Sequence, residues 1–88
     1  MITVESEECK KIIGEAASLR GQRSFDEALK VLDDAIPKME NEAKIIALLE
    51  AIYAAKEAGY TEKMKSYAQE AAKIDSTIPS VRKILAVK

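Results

Sequence analysis

The apolar residues of this chain recur with two periods at once, and together these periods restrict the fold more than any other feature. Within each segment they return every three or four positions, which places them on one face of an α-helix. A shift of 36 positions (64 − 28) then brings Ala28 onto Met64 and Cys9 onto Ile45, and a second shift brings Ile45 onto Val81. Repeats of this length are typical of stacked helical hairpins. Chance alignment of unrelated amphipathic helices is the alternative, because such patterns match one another easily.

The clearest single helix is predicted over residues 24–36. Ser24 and Glu27 have the Ser-x-x-Glu spacing of a capping box, which satisfies free N–H groups at a helix start. Pro37 lacks an N–H group and disfavours helical torsions in the residue before it, so the helix should end near Ile36. Its apolar stripe consists of Phe25, Ala28, Leu29, Leu32, Ala35 and Ile36.

A partner helix is predicted before this segment, with Thr3 or Ser6 as its N-cap. Gly21 is predicted to be its left-handed C-cap, and the short connection that follows makes a first antiparallel hairpin over about residues 5–36.

A second hairpin is predicted over about residues 40–75. Gly59 should end its first helix, and Thr61 should cap its second. A last helix is then predicted over about residues 79–87, with Pro79 in its first turn. The sequence therefore predicts one all-α domain of about five helices spanning residues 1–88.

Composition argues against several classes of function. The 88 residues carry a net charge of −1, which gives no broad electrostatic reason to bind nucleic acid or an anionic membrane. The chain has no histidine and a single cysteine, Cys9, so we expect no enzyme, no cofactor and no metal site. With no membrane-length apolar run and no signal-peptide pattern, the expected compartment is the cytoplasm.

The motifs resemble those of tetratricopeptide repeat (TPR) proteins. Residues 24–29, Ser-Phe-Asp-Glu-Ala-Leu, are similar to the opening of that family's second helix. Small or bulky apolar residues occupy further family positions, namely Ala16, Ala28, Leu32 and Ala35, and the second copy keeps Gly59 and the run from Ala71 to Asp75. The resemblance implies antiparallel hairpins stacked as a short right-handed array, and a protein–protein interaction module whose concave groove binds a peptide or a helix.

In that family the first helix of each pair lines the groove. The matching positions are Lys10, Ile13, Ala17 and Arg20 in the first helix, Ile46, Leu49, Tyr53 and Lys56 in the third, and Arg82 and Leu85 in the last. The apolar positions suit an apolar partner side chain, and the basic ones suit a carboxylate or an acidic segment. Tyr53 and Arg20 are the strongest candidates, because Tyr and Arg are enriched among binding hot spots. The alternative interpretation is that Ile13 and Leu49 pack internally and that the basic residues are solvated surface residues, as Lys and Arg on helices usually are.

A second hypothesis makes the chain a self-associating structural protein. The last helix would bury its stripe against another copy, giving a homo-oligomer. Apolar surface on Val81, Leu85 and Val87 motivates this hypothesis.

Overall fold

In the computed structural model, residues 1–86 are described and fold into five α-helices. They are α1 (Glu7–Gly21), α2 (Phe25–Ala35), α3 (Asn41–Ala58), α4 (Thr61–Ile74) and α5 (Pro79–Ala86), with a 3₁₀ turn (Ile36–Lys38) after α2. The all-α class is confirmed, and the helix ends lie within a few residues of those predicted. Val87, which was assigned to the last helix, lies outside the described residues.

The two hairpin connections share one backbone geometry, offset by the predicted repeat. Arg23 and Gly59 both have left-handed torsions, with φ of 64° and 79°. Each is followed by a residue whose N–H returns to the preceding helix, Ser24 to the carbonyl of Leu19 and Tyr60 to that of Ala55, both at 2.8 Å. The repeat read from the apolar pattern is therefore also a repeat of backbone hydrogen bonds.

Two predicted features of the first connection are wrong. Gly21 is the last residue of α1, and the left-handed position falls at Arg23, where an arginine gives no sequence signal. Ser24 precedes α2 but its side chain caps nothing. Its ψ of 64° differs from the extended value of 150° at Ser6, whose hydroxyl does accept from the N–H of Cys9 at 3.1 Å. The left-handed turn at Arg23 determines the backbone torsions of Ser24 at the start of α2, so no capping box forms with Glu27.

The second connection differs from its prediction in the same way. Tyr60, rather than Thr61, is the N-cap position of α4, with torsions close to those of Ser24. Thr61 is instead the first helical residue. Gly59 is confirmed as the end of α3, where it forms a left-handed C-cap, and Pro79 is confirmed in the first turn of α5.

Helix α3 lies at the centre of the fold and packs against α1, α2 and α4. One of its faces carries the predicted residues Leu48 and Ile52, and both are buried. The other buried positions are mostly alanine, namely Ala43, Ala47, Ala51, Ala54 and Ala55, all fully buried. Small side chains let neighbouring helices approach closely, so α3 is enclosed on more sides than a single stripe predicts.

The N-terminal segment is tied to the connection between the hairpins. Ile2 pairs with the strand-like residues around Met39, donating to the carbonyl of Lys38 and accepting from the N–H of Glu40, both at 2.8 Å. Ile2 and Met39 are both buried. The N-terminal segment therefore packs against the end of the first hairpin. No pattern in the sequence predicts this contact.

Two tyrosines, one at the N-cap of α4 and one within it, bridge to aspartates of α2. Tyr60 donates to Asp26 at 2.7 Å, and Tyr67 donates to Asp33 at 2.8 Å. Burial, followed by the hydrogen bond to Asp33, raises the pKa of Tyr67 well above its usual value. Because the folded-state pKa is raised, this stabilisation is present below about pH 10 and is lost as the pH rises towards the folded-state pKa.

Helix α5 reproduces only part of the repeat. It packs against α4, as α3 packs against α2. Within residues 1–86, however, no Cα atom of α5 lies within 8 Å of α3, although α3 does pack against α1. The repeat therefore has an open side between α3 and α5.

Glycine-to-alanine substitutions at two sites should have opposite effects. Gly14 lies within α1 with open space where a Cβ would project, so Gly14→Ala should stabilise the fold by about 0.5–1 kcal/mol. Gly59→Ala should destabilise it by about 1 kcal/mol or more, because φ is 79° there. Urea unfolding followed by circular dichroism measures both changes, and effects of the same sign would contradict this geometry.

Candidate functional site

A cleft of about 630 Å³ occupies the open side between α3, α4 and α5. Its apolar lining comes from all three helices: Ile52 and Tyr53 of α3, Met64 of α4 and Ile84 of α5. Ile52 is only 3% exposed and forms part of the core, whereas Tyr53 is 47% exposed. The cleft therefore has an apolar floor continuous with the core and a half-exposed aromatic wall.

Polar residues surround this apolar lining, and the charged ones are all basic. Lys56, Lys65 and Lys83 come one from each of α3, α4 and α5, and Thr61 and Ser80 complete the rim. No residue lining the cleft is acidic. The charged lining residues of the cleft are thus all positive, although the whole chain carries a net charge of −1.

The cleft is more spacious than two other cavities on the surface. One of about 250 Å³ lies beside Phe25 and Tyr60, and one of about 220 Å³ lies between Ile2 and Ile12. The volume of the α3–α4–α5 cleft falls within the range of about 300–1,000 Å³ that is usual for binding pockets.

The predicted groove residues divide between this cleft and the adjoining α1–α3 surface. Of the predicted ten, Tyr53 and Lys56 line the cleft. Arg82 and Leu85 are exposed on α5, but their neighbours Lys83 and Ile84 are the lining residues. The remaining positions lie on α1 and α3 outside the cleft, and are Lys10, Ile13, Ala17, Arg20, Ile46 and Leu49.

The α1–α3 part of the predicted groove is mixed in character. Ile13 and Leu49 are half-buried and pack against the core, which supports the alternative of internal packing for both. Ile46 is 39% exposed and Lys10 is also exposed. The large apolar side chains that are exposed on α3 are thus Ile46 and Tyr53.

Arg20 is engaged within the chain. Its guanidinium donates through Nε to Glu50 and through Nη1 to Glu57, both at 2.6 Å, and it lies 5.9 Å from the ring centroid of Tyr53. These hydrogen bonds, that to Glu50 first, raise the pKa of Arg20 above its ordinary value. Arg20 therefore holds α1 against α3, and it reaches the cleft only by supporting the Tyr53 ring.

Sequence reasoning missed this ion-pair cluster. Glu50, Tyr53 and Glu57 are spaced by three and four residues, so they share one face of α3. That spacing beside the basic Arg20 position was the available signal. The ion pair with Arg20 also explains how Glu50, which is only 9% exposed, can be buried.

The structure removes one of the observations that motivated the self-association hypothesis. Val81 was predicted to present apolar surface, but it is fully buried where α5 packs on α4. Leu85 remains 39% exposed. Val87 lies outside the described residues.

Residues 1–86 contain no group of three or more His, Cys, Asp or Glu side chains close enough to hold a metal ion. In the same part of the chain, no helix has the length and apolar character needed to cross a bilayer.

The chain matches no protein-family model, no curated protein and no solved structure. The TPR resemblance accordingly stays a prediction that rests on the motifs and on the repeated hairpin geometry.

Removing the Arg20 side chain should cost stability. Arg20→Met leaves the carboxylate of Glu50 almost buried without its partner, at a cost of about 2 kcal/mol, since both residues keep some solvent contact. Arg20→Met combined with Glu50→Leu should recover most of this loss. Lys30→Met, which breaks an exposed pair with Asp34, is the matched control and should cost less than about 0.5 kcal/mol. Equal losses for Arg20→Met and Lys30→Met in urea unfolding would disprove the structural role of Arg20.

Proposed function

We propose that this chain is a protein-binding module built from two TPR-like hairpins and a closing helix, and that it holds a peptide or helix of a partner protein in the α3–α4–α5 cleft. The observation that carries this proposal is the cleft itself, whose apolar lining comes from three helices and opens to solvent beside Tyr53.

The apolar character of the cleft supports this role. When a partner covers apolar side chains in a concave site and removes them from water, the complex is stabilised by about 25 cal/mol per Å² of buried apolar surface. Tyr53 contributes a large ring that is 47% exposed, and Met64 contributes a side chain able to adapt to different partners.

The arrangement of the repeat supports the same role. In the first hairpin the face of α1 is covered by α3, whereas α3 has no equivalent helix on the side of α5. A partner segment in the cleft would supply contacts that a further repeat supplies in a longer array. The exposed α3 residue Ile46 extends the apolar surface beyond the cleft.

Self-association is the second candidate, favoured by the exposure of Leu85. In this case the open side between α3 and α5 would pack against another copy of the chain. Sedimentation equilibrium distinguishes the two candidates, because a module that binds other proteins stays monomeric without its partner.

Blocking the cleft should abolish peptide binding. A library of peptides displayed on phage is selected against the wild-type chain, and the selected peptides are synthesised and titrated by fluorescence anisotropy. Ser80→Trp fills the mouth of the cleft from its rim and should eliminate binding. Tyr53→Ala should weaken it by about tenfold, the effect of a moderate hot spot.

Ser66→Trp is the matched control, because Ser66 is exposed on α4 and does not line the cleft. This variant should bind the selected peptides as the wild type does. Tyr53→Ala should also keep its unfolding free energy within about 0.5 kcal/mol, since Tyr53 is half-exposed. If no peptides are selected, or if all of them still bind Ser80→Trp, the cleft is not the binding site.

A further inference from the structure

We infer that the occupant of the cleft is an acidic amphipathic helix of a partner protein, held by apolar anchors on the cleft floor and by carboxylates at Lys56, Lys65 and Lys83. This inference rests on the proposed function of the cleft and specifies the chemistry of its partner. It is carried by the charge of the rim, by the kind of backbone in the walls and by the shape of the apolar surface.

The charge of the rim is one-sided and uncompensated. Lys56, Lys65 and Lys83 form no ion pair within residues 1–86. Other lysines of residues 1–86, such as Lys11 and Lys38, are also unpaired, so what sets these three apart is that they line one cleft. Three ammonium groups around one cleft with no acidic lining residue favour carboxylates from outside.

The first turns of two helices add to this charge. Thr61 is the first residue of α4 and Ser80 is the second residue of α5, and both lie on the cleft rim. Free N–H groups at a helix start carry partial positive charge. This contribution acts in the same direction as the lysines.

The walls favour a helical partner over one that binds by adding a strand. All the lining residues belong to α3, α4 and α5, so the cleft offers no strand edge to which an extended peptide could add. Recognition must occur through side chains, as when an amphipathic helix places apolar anchors from successive turns into a groove. Ile52, Met64 and Ile84 provide the surface for such anchors.

An anionic membrane would also be attracted by the lysines, but the apolar surface has the wrong shape for it. Proteins that lie on a bilayer insert projecting apolar side chains into it. Here Ile52 is buried, and Met64 and Ile84 are half-buried in a concave site. A narrow helical segment can reach them, whereas a flat bilayer cannot.

The test uses three labelled amphipathic peptides of about four helical turns, which share leucines at i, i+4 and i+7. Their flanking residues are glutamate in one peptide, glutamine in the second and lysine in the third. The wild-type chain should bind the glutamate peptide about tenfold more tightly than the glutamine peptide, as expected from three ion pairs that keep solvent contact. The lysine peptide should bind more weakly still, and added salt should reduce these differences.

Charge reversal should invert this order. In the triple variant Lys56→Glu, Lys65→Glu, Lys83→Glu, the lysine peptide should become the tightest ligand. The matched control changes three exposed lysines outside the cleft, Lys11→Glu, Lys38→Glu and Lys73→Glu, and should keep the preference for glutamate at the same net charge. Circular dichroism and thermal unfolding establish that both variants fold.

Each other outcome overturns the inference in a recognisable way. If the peptides bind with equal affinity and Ser80→Trp abolishes binding, the cleft binds apolar helices without regard to charge, and only the proposed function stands. If none of the peptides binds and the phage selection also fails, the proposed function falls as well. Lysine-dependent binding to phosphatidylcholine–phosphatidylserine vesicles, without binding of the glutamate peptide, would assign the cleft to a membrane surface.

Discussion

Helix α3 contacts α1, α2 and α4 at once, and alanine at its buried positions makes this possible. Ala43, Ala47, Ala51 and Ala54 are fully buried, so the neighbouring helices approach α3 without large side chains between them. The larger residues Leu48 and Ile52 then fill the remaining interior. Replacing any of these alanines with a bulky residue would push a neighbouring helix away, because a core packed at this density has little space to absorb it.

The same arrangement explains why one side of α3 stays open. Arg20 binds Glu50 and Glu57 and so fixes α1 against α3, whereas α5 packs only on α4. In a stacked repeat, each helix packs against the matching helix of the repeat on either side. Within residues 1–86, helix α3 packs against its matching helix α1 but not against its matching helix α5. The cleft therefore results from α5 packing on α4 without contacting α3. Its three lysines keep a partly apolar surface charged and hydrated.

Much of the fold could be predicted from the sequence. The helical periodicity indicates which face of each helix is buried, and the 36-position shift indicates that the hairpin is repeated. The helix termini were harder to predict. Ser24 has the residue type of a cap but enters α2 from a left-handed turn at Arg23, a residue with no preference for that turn. The site was only partly predictable. Tyr53 and Lys56 were found through the family resemblance, but the cleft depends on the placement of α5, which no local pattern encodes.

The most direct test of this account is a methyl NMR titration of the chain with the glutamate-flanked helical peptide. Isoleucine δ1 and methionine ε methyl groups report on each part of the molecule separately. The account predicts that the resonances of Ile52, Met64 and Ile84 shift together and saturate, while those of Ile2 and Ile12 at the opposite end of the repeat stay unchanged. Shifts centred on Ile2 and Ile12, or spread evenly over the chain, would contradict a binding site between α3, α4 and α5.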